Sequence, residues 1–354
     1  MHPTFSPRAG LIAPCGLWLG TVAAGLWASP AFALDTFVGG AASGGVTVGG
    51  DGSGGIGVAP TIAQAEIDGR LATPDVYVRV DLDVHVDPAN LGDGLAAPVP
   101  PEWAMVQFGR QQYHVRLGVT NPNIGLQQWD EWQNYLPSYS IMWGAQPSQI
   151  LGVEPGIDFD SGLSVFAYGG YDLGWGGLSV VPGTGLMTNS RGLTAGAGFS
   201  LSSDGYYAAL SAAAYPIAGF DYYAAFGTFE LYPMDQLTLS LDGGAGLMGG
   251  APFAGAQLQV IGLPGTIVSP VARFELAHGG GLEGELGALP TATASLGAKV
   301  APCEFATLQV EGKGSFYATG GPQLMAEVLV SVFRPEPTVY SAAINPPDEG
   351  DDAK

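Results

Sequence analysis

From Val76 to Asp87 the chain alternates without a break, every even position aliphatic and every odd position polar or tyrosine. A two-residue period puts all six aliphatics on one face of a β-strand. At about 3.3 Å per residue the twelve positions reach about 40 Å, and tilted by about 45° they cover roughly 28 Å along a barrel axis, the height of a bilayer's apolar band. Strands of soluble sheets are usually half as long. The odd face carries Arg79, Asp81, Asp83, His85 and Asp87. That is a poor lining for a dry core and a good one for a wet lumen.

Other segments repeat the pattern. Gln64, Glu66, Asp68 and Arg70 share one face of a strand that turns through Thr73-Pro74-Asp75 into the long one. Arg110, Gln112, His114 and Arg116 share a face opposite Tyr113, Val115, Leu117 and Val119. Leu237, Leu239 and Leu241 alternate with Thr238, Ser240 and Asp242, and Val328, Val330 and Val332 close the series. In the second half, turn signals recur every ~11 to 18 residues, the spacing of a hairpin meander. The pattern predicts an all-β protein, a single closed antiparallel transmembrane β-barrel of roughly 14 to 16 strands over residues 34–333. Longer connections are expected at Pro88–Glu102, Thr120–Ser138, Ala145–Gly162 and Pro182–Gly192. Gly40 to Gly55 reads either as a first strand or as a flexible glycine-rich entry.

Residues 1–33 read as an export signal, with Arg8, an apolar run to Trp27 and the small-x-small site Ala31-Phe32-Ala33. Residues 334–354, with four prolines and the acids Asp348-Glu349-Gly350-Asp351-Asp352, read as a disordered tail. Cleavage leaves Cys303 as the single cysteine, so no internal disulfide is expected. The processed chain keeps 10 of 11 lysines and arginines and all 32 acids, a formal charge of −22. Such a charge excludes nucleic acid as a partner. Yet 47% of the chain is hydrophobic and no apolar run after Trp27 approaches 18 residues. Apolar content without apolar runs is what lipid-facing alternation produces.

No enzyme is expected. Gly50 to Gly55 fits a dinucleotide fingerprint without a following helix, and His278-Gly279-Gly280-Gly281 has no serine elbow to serve. No metal and no cofactor are expected either, since same-face neighbours such as Asp81 and Asp83 stand ~7 Å apart, too far for one ion to be shared by more than about two. The inward candidates are instead a pore lining: Arg70, Arg79, Asp81, Asp83, His85, Asp87, Arg110, His114 and Arg116, with arginines facing acids to set the field. Trp129, Asp130, Glu131, Trp132 and Tyr135 form a second set. At three-residue steps their aromatics share one side of a turn, so the loop either folds inward to constrict the bore or joins an interfacial girdle, which Trp103, Trp143 and Trp175 would extend.

The signal, the alternation and the aromatic enrichment resemble the outer-membrane β-barrel porins of Gram-negative bacteria. Val115-Arg116-Leu117-Gly118-Val119 followed by Asn121-Pro122-Asn123-Ile124-Gly125 is similar to the OmpL-like porin family. Such barrels commonly finish on an aromatic residue, whereas here Phe333 is followed by 21 more residues. The resemblance implies passive diffusion of small hydrophilic solutes across the bacterial outer membrane, with the lipid bilayer as partner and the barrel alone or as a homo-oligomer. The alternative is a closed, non-conducting barrel with a structural or surface-interaction role.

Overall fold

The computed structural model describes residues 35–50, 55–60, 63–73, 75–86, 101–109, 112–121, 134–138, 140, 146, 149–173, 178–181, 185–188, 192–215, 222–248, 250–279, 290–317 and 322–333. The expected signal over 1–33 and tail over 334–354 lie outside them. The chain begins with β1 (Asp35–Gly50), which turns back into β2 (Ile56–Pro60) and β3 (Ala63–Ala72). β2 pairs with Val46–Gly50 and β3 with Asp35–Ser43, so the two make one interrupted wall strand. As far as Gly50 the glycine-rich entry is therefore a first strand. β4 (Val76–Val86), β5 (Pro101–Phe108), β6 (Tyr113–Thr120), β7 (Ile150–Asp158) and β8 (Leu163–Asp172) follow in order. A separate hairpin of β9 (Leu178–Val181) and β10 (Gly185–Thr188) stands between β8 and β11 (Gly192–Ser203). The meander runs on through β12 (Tyr206–Ala214), β13 (Tyr222–Met234), β14 (Leu237–Met248), β15 (Ala251–Gly262), β16 (Val268–His278), β17 (Ala292–Cys303), β18 (Ala306–Phe316) and β19 (Gln323–Phe333).

β8 pairs with β11, and β19 returns to β1 from Ala41↔Phe333 to Gly50↔Leu324. With β2 and β3 counted as one, sixteen antiparallel strands close into a barrel, so each strand of the wall has a neighbour on both sides. One rim carries short turns such as Asp204–Gly205 and Glu304–Phe305 together with Asp35 and Phe333. The opposite rim carries most of the long connections. The long connection expected at Ala145–Gly162 is a correction: it contains β7, whose Gly152, Pro155 and Gly156 interrupt the sequence pattern. Pro155 stands on the outer face opposite Val115, where the β7–β8 ladder is interrupted between Val153 and Gly156, so a residue without an N–H fits there.

Side chains sort strictly by face. Ile67 (63% exposed), Leu241, Phe274 and Leu296 (71%) stand outside. Among the described strand side chains every Asp, Glu, Lys and Arg faces inward. On β4, Tyr77, Arg79 and Asp81 point in and are buried. On its outer face Leu82 is exposed, Val80 half-buried, and Val78, between Leu71 and Val106 in register, buried. Three inner aromatics, Phe166, Tyr168 and Phe226, lie over glycines of the adjoining strand. A Cβ on Gly196 would stand 2.4 Å from the Tyr168 ring, and one on Gly244 would stand 2.6 Å from Phe226. Each glycine weakens its strand, and the ring laid over it restores the lost contact. Around Tyr222, Phe226 and Phe253 these residues pack as the largest apolar cluster of the interior.

Candidate functional site

Two interior walls carry the charge. On the first, the register sets Arg70 beside Arg79 and Asp68 beside Asp81 on β3 and β4. Left alone, each like-charged pair would repel, but the ion pairs run diagonally and along the strands. Arg70 Nε donates to Asp68 Oδ2 at 2.6 Å, Arg79 Nη2 donates to Asp81 Oδ2 at 2.8 Å, and Arg79 Nε lies 3.7 Å from Asp68 Oδ1. Both guanidiniums also face rings: Arg70 lies 5.8 Å from the Phe37 centroid and Arg79 4.8 Å from that of Trp103. All four ionic side chains are buried, so charge-assisted geometry must offset their desolvation. Further round, Arg116 Nη1 donates to Glu154 Oε1 at 2.6 Å and its Nε to Gln107 Oε1 at 2.9 Å. His114 Nδ1 stands 3.1 Å from Asp158 Oδ2, its ring over Gly156.

Oxygens of Glu66, Asp68 and Asp81 lie within 4.8 Å of one another, close enough for a cation. Arg70 and Arg79 already neutralise Asp68 and Asp81 there, so an ion would have to displace guanidiniums.

The second wall holds the loop between β6 and β7. The chain leaves the wall at Asn121 and returns at Gln149, and between them Asn134–Ser138 contacts β15 to β18, half-way round the sixteen-strand cycle. Leu136 is buried against Ile261 and Val271. It fits because residue 297 is glycine, where a Cβ would stand 2.6 Å from Leu136 Cδ2. Gln309 Nε2 donates to the Asn134 carbonyl. Ser138 N donates to Glu311 Oε2 at 3.1 Å and its hydroxyl to Glu311 Oε1 at 2.9 Å. Arg273, 2% exposed, donates Nη1 to Ser138 O at 2.8 Å, and its Nε lies 2.7 Å from Glu275 Oε1. Lys299 Nζ sits 5.4 Å from the centre of the Tyr135 ring. Burial, with the charge of Glu230 behind it, raises the Tyr135 hydroxyl above the ordinary tyrosine value, so it stays protonated. The described stretch Asn134–Ser138 is thus a strap fixed to the inner wall opposite β6 and β7.

No protein-family model matches the chain, and no curated protein sequence matches it. Solved structures do. An engineered porin of Rhodopseudomonas blastica superposes with a TM-score of 0.55 at 14% identity, covering 85% of this chain and 100% of that one. OmpF of Salmonella typhi, solved in complex with daunomycin, superposes with a TM-score of 0.62 at 12% identity, covering 84% of this chain and 97% of that one. The fold is that of the bacterial porins.

Within this porin fold the sequence candidates divide. Arg70, Arg79, Asp81, His114 and Arg116 all face the interior, the first three in one network. Asp83 and His85 lie on β4 with only their backbone described, opposite Glu66 and Gln64. Asp87, Arg110, Trp129, Asp130, Glu131 and Trp132 fall outside the described residues, as do Trp143 and Trp175. Tyr135 lies on the strap. Trp103 is a correction: it faces inward, packed on the cluster of Phe37, Tyr77 and Met105 under Arg79, and is no part of an outer girdle. The reason is register, since Trp103 stands opposite the inward Asp81. Sequence reasoning missed the docking wall altogether. Arg273, Glu275 and Glu311 alternate with apolar residues on their strands, but nothing local shows that a loop from half-way round the barrel lands on them.

Proposed function

We propose that this chain is an outer-membrane pore, exported by its leader, through which small hydrophilic solutes diffuse passively. The observation that carries the reading is the separation of faces on a closed sixteen-stranded barrel: every described strand charge inside, an apolar band outside. Bathed in lipid, the exposed Ile67, Leu241 and Leu296 face is stable, and the inner charges are kept away from lipid, most of them enclosed in ion pairs along the wall. Sixteen strands enclose an aqueous channel when nothing fills it. Arg70, Arg79 and Arg116, with Asp81 and His114, form the proposed lining on one side, and the strap bearing Tyr135 narrows the bore from the other. Transport of this kind needs no cofactor and no catalytic group.

A closed, non-conducting barrel is the second reading, favoured by one observation: Asp81 and Gln309 are 0% exposed, as in a packed core. Planar-bilayer recording of the purified protein separates the two. Stepwise single-channel currents, small for a sixteen-stranded barrel because Asn134–Ser138 takes up part of the bore, support the pore. Silence from protein that is folded and inserted establishes the closed barrel instead.

A further inference from the structure

The charge of the interior is lopsided. Among the described side chains six bases face inward, Arg70, Arg79, Arg116, Arg273, Lys299 and Lys313, against eleven acids, an excess of five negative charges. Every one of the four arginines is held by a carboxylate: Arg70 by Asp68, Arg79 by Asp81, Arg116 by Glu154, and Arg273 by Glu275 and Glu311. The arginines therefore cancel acids and present little net positive charge to a passing solute.

The surplus is concentrated on the walls beyond these pairs. Among the described residues no lysine or arginine nitrogen comes within 4.0 Å of Glu230, Asp242 or Glu327. Glu230 accepts from the Ser240 hydroxyl at 3.0 Å and Asp242 from the Thr228 hydroxyl at 2.8 Å, bonds that hold the carboxylates in place without neutralising them. Both stand on the β13–β14 wall. Glu327 faces Glu311 directly across the β18–β19 ladder. Asp242 is 2% exposed, and the charged form of a carboxylate so enclosed without a base is costly unless it takes up a proton or a cation comes to it. Low-dielectric walls focus such a field along the bore, and the screening length of about 8 Å at physiological salt is too long to erase it in a narrow passage.

We propose that the lumen is selective for cations, passing small monovalent cations and organic amines and holding back anions such as phosphate, with Glu230 and Asp242 as the selectivity-determining carboxylates. The inference rests on the pore reading and goes beyond it. The test is the zero-current potential of the full-length protein in a planar bilayer under a tenfold gradient of potassium chloride at neutral pH. A lumen potential of only one kT per unit charge enriches potassium and depletes chloride by about 2.7-fold each, and so predicts a potassium-over-chloride permeability ratio of about 7. The double variant Glu230→Gln with Asp242→Asn should lower that ratio by about twofold or more. Faster swelling of proteoliposomes in a small-amine salt than in the potassium salt of an anion of equal size is a second readout that needs no variant. Conducting channels with a ratio at or below one overturn cation selectivity while leaving the pore intact. A silent bilayer overturns the pore reading itself, and this inference with it.

Discussion

Arg273 and Ser138 join two parts of the barrel that strand order sets half a circumference apart: the guanidinium on β16 donates to both the carbonyl (2.8 Å) and the hydroxyl (2.6 Å) of a loop rooted on β6 and β7. Glu311 holds the same serine from β18 through its backbone N–H and its hydroxyl. One residue of the loop thus satisfies a buried arginine and a buried glutamate at once. The strap and its docking wall stabilise each other, because neither charge has bulk water to fall back on.

Removing the Ser138 hydroxyl tests the strap without removing a charge. Ser138→Ala deletes bonds to Arg273 and Glu311 and leaves their pair 3.3 Å apart. The cost is about 1–3 kcal/mol. In bilayers the variant should give larger or noisier current steps than the parent, since the strap is held less firmly against the wall. Unchanged conductance together with unchanged unfolding in denaturant would show that the strap carries no weight in either.

Truncating Arg273 is harsher. Arg273→Met leaves Glu275 and Glu311 buried without their common counter-charge, at a cost of about 3–5 kcal/mol. The expected result is a barrel that loses its folded electrophoretic form at lower temperature. Replacing Glu275 and Glu311 by glutamine in the same chain should recover part of the loss.

The arginine ladder gives a sharper chemical contrast. Arg79 serves Asp81 and Asp68 while lying over Trp103, a task for a flat guanidinium with several donors. Arg79→Lys keeps the charge but offers neither the fork nor the stacking plane. Stability in guanidinium chloride titrations should therefore fall nearly as far for Arg79→Lys as for Arg79→Met, by about 3–5 kcal/mol for the latter. Full retention of stability by lysine would mean that charge alone matters at this position.

The outer face should answer to bilayer depth. Leu241 is exposed at the middle of β14, while its neighbour Ser240 faces inward. Leu241→Arg should cost about 2–4 kcal/mol of folding free energy in phospholipid vesicles. Ser240→Lys, one position away, is expected to fold and to reduce cation preference, because it places a base beside Glu230. Equal tolerance of both substitutions would show that Leu241 does not meet lipid.

How much of this was legible in the sequence follows from how local each signal is. The alternation of Val76 to Val86 gave its own strand and its inward face, because a two-residue period depends on nothing outside the strand. β7 was lost in a supposed loop because Gly152, Pro155 and Gly156 mimic turn chemistry, and with β7 went Glu154, the partner of Arg116. Alternation puts arginines and acids on one face but does not say which stand side by side: Arg70 beside Arg79 and Asp68 beside Asp81 follow from pairing register, which is fixed by the whole hairpin and not by spacing along one strand. Trp103 misled for the same reason. The strap's destination was illegible in principle: contact between Ser138 and Arg273 spans 135 positions, and only closure of the barrel brings them together.

The glycine slots explain why so glycine-rich a chain makes an ordered wall, and they can be tested as pairs. Gly196 stands beside Tyr168 in register, and the ring lies where its Cβ would be, 2.4 Å away. Gly196→Ala must therefore push the ring off the wall and into the interior, at about 1–3 kcal/mol. Two effects should appear together: a lower unfolding midpoint and, for a conducting barrel, a smaller current step, because the displaced ring occupies bore that the slot kept clear. Tyr168→Ser, combined with Gly196→Ala, removes the clash. The double variant should be more stable than the sum of the single effects implies, a coupling that adjacent residues show and distant ones do not. Strict additivity would mean that the ring and the glycine do not share space, and the account of the wall given by Gly196 and Tyr168 would have to be abandoned.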